Sequence, residues 1–138
     1  MRFEITVDID APRDKVWEHL VAIERWPEMT RSVSRVERLD DGPLGKGSQA
    51  RVHQPKLRPA VYTVTDFEPG RSFTWESRGP GIVTTAGHIL TESSGTVSAR
   101  LTLTQTGPAA PVIGLLYGRL IRRYVTMEAE GLKAISQT

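Results

Sequence analysis

The sequence contains no cysteine, which excludes disulfides, thiolate nucleophiles, zinc–thiolate sites and iron–sulfur clusters. It contains no asparagine either, which removes N-glycosylation and any Asn-dependent triad or oxyanion hole. Charge of one sign is not in excess: 18 Lys and Arg against 16 Asp and Glu leave a formal net charge of +2. The cations are mostly scattered, with one cluster at Arg119, Arg122 and Arg123. A dense basic stripe with stacking aromatics among the charges is missing, so no nucleic-acid partner is expected. The longest apolar run, Pro108 to Gly118, is about half a membrane span, so stable membrane insertion is not expected. The first ten residues alternate apolar and polar and do not read as a secretion signal; a cytoplasmic location is expected.

What is present reads as one domain. At 138 residues the chain matches a single core and buries enough surface to need no staple. Phe3, Ile5, Val7 and Ile9 fall at every second position, the pattern of a strand with one dry face. Asp10 is expected to cap a following helix, with Pro12 in its first turn, and Val16, Trp17, Leu20, Val21 and Ile23 keep helical spacing. Trp26-Pro27 breaks it, and a second short helix is expected from Pro27 to about Ser32. From Val33 to Gln105, runs of alternating residues separated by Gly and Pro turns predict six antiparallel strands. The period then changes from 2 to 3.6, and a long amphipathic helix closes the chain. The predicted class is α+β, a curved seven-stranded antiparallel sheet wrapped on that helix, over residues 1–138 as a single domain.

Several segments carry a family likeness. The first strand runs into Ile9-Asp10-Ala11-Pro12, followed by Val16-Trp17 and Trp26-Pro27. Gly45-Lys46-Gly47-Ser48 precedes a strand, and Val64-Thr65-Asp66-Phe67-Glu68-Pro69 and Gly95-Thr96-Val97 follow in order. In this order the chain resembles the START-like (SRPBCC, Bet v 1-like) helix-grip superfamily, and within it the polyketide cyclase/dehydrase-type families, over essentially its whole length. The resemblance implies a cavity between sheet and C-terminal helix that holds an apolar small molecule. It implies no fixed catalytic residues, because carriers, lipid binders and cyclases share the fold.

Strand phase and helix spacing nominate the residues that would line such a cavity: Trp26, Val52, Tyr62, Phe73, Trp75, His88 and Leu101, with Leu116, Tyr117, Leu120 and Tyr124 from the last helix. The competing reading is that these side chains simply fill the core. The three tyrosines can orient a ligand oxygen, or be satisfied by backbone and water. His88 is the single candidate for chemistry, as a partly buried imidazole able to move a proton; otherwise it is a hydrogen-bonded core histidine. His19 and His53 fall on wet faces, and no residues stand at metal-ligand spacing, so neither a metal nor a cofactor is expected. Gly42 to Ser48 imitates a phosphate loop, but Lys46 precedes the last glycine and a strand follows, so it reads as a hairpin connection. Glu76 and Arg78 read as a solvated pair. Gly114 and Gly118 share a helix face, where small residues permit close approach of the sheet or leave space for a ligand. Val112 and Leu115 lie on the outer side, where they suit a homodimer contact or a membrane surface. The leading expectation is binding of a hydrophobic small molecule such as a lipid, polyketide or isoprenoid. Its alternatives are a cyclase/dehydratase using His88 and a tyrosine, and a protein–protein interaction module.

Overall fold

The computed structural model describes residues 1–138. The alternating N-terminal run is β1 (Arg2–Ile9), whose Phe3, Ile5, Val7 and Ile9 all pack against the core. Helix α1 (Arg13–Val21) follows and buries Val16 and Leu20. Asp10 does not cap it. Pro12 takes the N-cap position without a side-chain bond, so Asp10 stands two residues too early. The Asp10 backbone N–H instead donates to Gln137 Oε1 at 2.8 Å. The second short helix comes earlier than expected and is of the 3₁₀ type, Ile23–Glu28. Three residues per turn place Ile23 and Trp26 on one side, and both are buried.

Six strands follow: β2 (Arg35–Arg38), β3 (Gln49–His53), β4 (Ala60–Glu68), β5 (Ser72–Gly79), β6 (Ile82–Ser93) and β7 (Thr96–Thr106). They form an antiparallel meander, and β1 adds to β7, giving the order β1-β7-β6-β5-β4-β3-β2. In β4 the register with β5 slips between Val64 and Asp66. Such a bulge adds one residue and bends the strand. Tyr62 and Val64 therefore pack inward before it, and Phe67 after it, where its ring meets Trp17 edge-on at 5.6 Å.

Helix α2 (Ala110–Ser136) has 27 residues and is about 40 Å long. Gly107 makes the turn into it at φ +106°, and a Cβ there would lie 2.5 Å from the Gly81 carbonyl oxygen, so only glycine fits. The larger core cluster joins α1, the 3₁₀ helix and β2–β7 to Leu132 near the end of α2. A smaller one packs Leu101 and Leu103 against Ile121, Val125 and Ala129. The two clusters hold the far half of α2, and the inner side of the helix between Ile113 and Glu128 borders an open space over the sheet.

Candidate functional site

Between sheet and helix there is a cavity of about 740 Å³. Its mouth is framed by the β3–β4 connection (Lys56, Leu57, Arg58), the β5–β6 turn (Arg78, Pro80) and the first turns of α2 (Ile113, Tyr117). The inward residues of β6, Ile82, Thr84, Ala86 and His88, lead from mouth to floor, and Gln105, Leu103 and Leu101 of β7 run beside them. A second depression, about 760 Å³, lies on the other flank of α2 beside Met1; only three of its twelve lining residues are apolar. The first has the more apolar lining, which suits a small organic ligand.

The floor is aromatic. Trp75 meets Trp26 at 5.4 Å and Tyr62 at 5.0 Å between ring centroids. The Trp26 indole N–H donates to the Leu20 carbonyl at 3.1 Å, which fixes the ring under α1. His88 is 4% exposed and stacks on Phe73 at 4.2 Å, its direct cross-strand neighbour. Its Nδ1 lies 3.1 Å from the Phe73 carbonyl oxygen. A carbonyl only accepts, so Nδ1 carries the hydrogen and Nε2 keeps its lone pair. Burial lowers the imidazole pKa to about 4, against the opposing effect of that hydrogen bond, so His88 is neutral near pH 7.

Glu128 is the polar residue that sequence reasoning missed. It projects from α2 into the same cavity and forms no hydrogen bond or ion pair with any side chain or backbone group. Burial raises its pKa to about 8, which keeps it a neutral carboxylic acid near pH 7. Tyr62 is its neighbour: burial, and then the Glu128 charge, push the phenol above its ordinary pKa, so its hydroxyl remains a donor. That hydroxyl has no partner in the protein, whereas the Tyr124 hydroxyl is spent on the Pro55 carbonyl at 2.5 Å. Among the polar groups of the cavity are two neutral donors, Glu128 and Tyr62, and an acceptor, His88 Nε2, set in a largely apolar wall.

Of the residues nominated from sequence, Trp26, Val52, Tyr62, Trp75, His88, Leu101, Tyr117 and Tyr124 line the cavity. Phe73 does not: it is 0% exposed and lies beneath His88, one layer below the floor. Leu116 is 68% exposed on the outer side of α2, and Leu120 also lies outside the lining. The inward face is instead Ile113, Tyr117, Ile121, Tyr124, Val125 and Glu128. His53 is paired with Glu37 at 2.7 Å, and Arg78 with Glu76 at 3.1 Å. Gly114 and Gly118 face only Met1, at 3.6 and 3.8 Å for an added Cβ.

The family model described as polyketide cyclase / dehydrase and lipid transport matches residues 1–137. The chain belongs to this family. Solved structures agree on the fold. A hypothetical protein, jhp0584, from Helicobacter pylori superposes with a TM-score of 0.81 at 15% identity, covering 98% of this chain and 86% of that one. The Zhui aromatase/cyclase from Streptomyces sp. R1128 gives 0.79 at 18% identity, with 99% and 93% covered. A protein from Thermus thermophilus, TTHA0849, gives 0.76 at 15% identity, with 97% and 95% covered. A comparison with curated protein sequences finds no match. The architecture is the helix-grip fold that the sequence resemblance implied: seven antiparallel strands, short helices and a long C-terminal helix. Family membership leaves the ligand and any reaction to be argued from the site.

Proposed function

We propose that this family member binds a lipophilic, oxygen-bearing small molecule between the sheet and α2. The observation that carries this is the 740 Å³ cavity whose only carboxyl group, Glu128, has no partner in the protein. Burial of the ligand's apolar surface supplies affinity at about 25 cal/mol per Å² before ordering costs. Glu128, held protonated by its surroundings, and Tyr62 donate to a carbonyl or hydroxyl oxygen and set the ligand's orientation. A carboxylate is disfavoured at that end, since no cation lies there to receive it and an ionised Glu128 repels it. An open cavity also favours a ligand-binding reading over an interaction module with a filled core.

Native mass spectrometry of freshly purified protein tests for co-purified ligand as excess mass lost on denaturation. The uncharged naphthyl ketone Prodan tests the polar part. Its blue-shifted fluorescence on binding should survive Glu128→Gln, which keeps a donor, and weaken by about tenfold in Glu128→Leu. Equal affinity for all three proteins would remove Glu128 from the reading.

Cyclase/dehydratase chemistry is the second reading, favoured by the unpartnered His88 Nε2 in the same cavity as the acid. His88 takes a proton from carbon beside a carbonyl, and Glu128 gives its proton to the oxygen, leaving an enol. A pKa near 4 makes His88 a weak base, which is why binding comes first. His88→Ala separates the two: turnover falls by a factor on the order of 100 in an enzyme, with only a modest affinity change in a carrier.

A further inference from the structure

The small net charge of +2 conceals a separation. The rim of the cavity carries Lys56, Arg58 and Arg78, and the N-terminal half of α2 adds Arg119, Arg122 and Arg123, of which Arg119 and Arg122 border the depression on its other flank. All six are exposed, and only Arg78 has a carboxylate partner. Residues 105–127 hold no Asp or Glu, while at the β5–β6 turn Glu76 pairs with Arg78.

The same end exposes apolar side chains. Val112 is 57% exposed, Leu115 86% and Leu116 68%, all on the outer face of the first turns of α2. The arginines begin one turn later, about 6–12 Å farther along the helix from Leu115. Single exposed leucines are ordinary, but three neighbouring aliphatic side chains at a helix tip, followed by unpaired cations, form a graded surface. Anionic bilayers have the complementary grading, with acyl chains about 5–10 Å beneath the headgroup surface and phosphates above them.

We propose that the mouth of the cavity docks end-on against an anionic lipid bilayer. Val112, Leu115 and Leu116 enter the acyl boundary, while Arg119, Arg122 and Arg123, with Lys56 and Arg58 on the facing rim, meet phosphates. No helix of the protein is long and apolar enough to cross a membrane, so the contact is peripheral. A docked mouth opens onto the lipid phase, and a lipophilic ligand then passes between bilayer and cavity without crossing water. An acidic protein would satisfy the cations equally; the aliphatic tip ahead of them is what favours lipid.

The test needs no ligand and so stands apart from the binding reading. Co-sedimentation uses vesicles of pure phosphatidylcholine and of equimolar phosphatidylcholine and phosphatidylglycerol. The protein should partition at least about tenfold more strongly to the anionic vesicles. The paired substitution L115S/L116S and the triple substitution R119E/R122E/R123E should each reduce that binding by about tenfold or more, with unchanged circular dichroism. No binding to anionic vesicles at low salt overturns the proposal. Binding lost in the arginine variant but untouched in the leucine variant also overturns it, and assigns the face to an acidic protein.

Discussion

The Tyr124 hydroxyl donates to the Pro55 carbonyl at 2.5 Å, tying the middle of α2 to the β3–β4 connection across the cavity. This bond spans 69 residues of sequence and closes one side of the mouth. Tyr124→Phe keeps the ring and removes the tie. Its expected cost is about 1 kcal/mol of stability, together with faster Prodan release in stopped-flow fluorescence. An unchanged release rate would mean that this side of the mouth does not limit exit.

His88 makes the fold sensitive to acid. Its folded pKa, about 4, lies below the ordinary 6.5, so as pH falls the unfolded chain takes up the proton first. Stability contributed by the neutral ring is complete above about pH 6.5 and is lost as pH drops toward 4, by an amount on the order of 3 kcal/mol. His88→Gln retains a donor for Phe73 and does not titrate. Urea denaturation across that window should show a flatter pH dependence for the variant.

Glu128 acts in the opposite sense. Its folded pKa, about 8, lies above the ordinary 4.5, so as pH rises the unfolded chain loses its proton first. The associated stability is complete below about pH 4.5 and is lost as pH rises through 8. Between pH 4.5 and 6.5 the two groups oppose and partly cancel. Glu128→Gln should therefore steepen the acid limb due to His88, and at pH 8 should exceed the parent in stability by on the order of a few kcal/mol. A parallel pair of stability–pH curves would contradict this.

Two glycines of α2 should respond to alanine with opposite sign. At Gly131 an added Cβ overlaps the Met29 carbonyl oxygen, which is backbone and cannot turn away. Gly131→Ala should cost several degrees of Tm or prevent folding. At Gly118 the nearest neighbour is the flexible Met1 Sδ, 3.8 Å away, so Gly118→Ala gains helix propensity of up to about 1 kcal/mol. Thermal denaturation of both variants measures the contrast directly.

The fold is legible in the sequence because each turn carries Gly or Pro and strands such as β7 alternate cleanly, with Val97, Ala99, Leu101 and Leu103 inward. The short helices were less so. Pro12 displaced Asp10 from capping, and the 3₁₀ turn places Trp26 by a period of three where an α-helical reading expects 3.6. In α2 the difficulty is that its first turns are apolar nearly all round, from Val112 to Tyr117. Periodicity there cannot choose a face, so helical spacing nominates Leu116 and Leu120 for a lining that they lie outside. Glu128 was missed for the converse reason: a carboxyl group reads as surface. Its register did hold a signal, four residues beyond Tyr124 and seven beyond Ile121, on the face those two define. Phe73 shares the phase of Trp75, but phase says nothing of depth, and His88 covers it.

The seat of Gly131 against Met29, with Ala129 and Leu132 buried beside it, makes α2 a beam clamped at its C-terminal end. The other end is held as well: the Ala109 N–H donates to the Gly81 carbonyl at 2.8 Å, and Ala110 is buried. A beam supported at both ends keeps its span over the cavity, so the space beneath it bounds the size of guest the fold accepts.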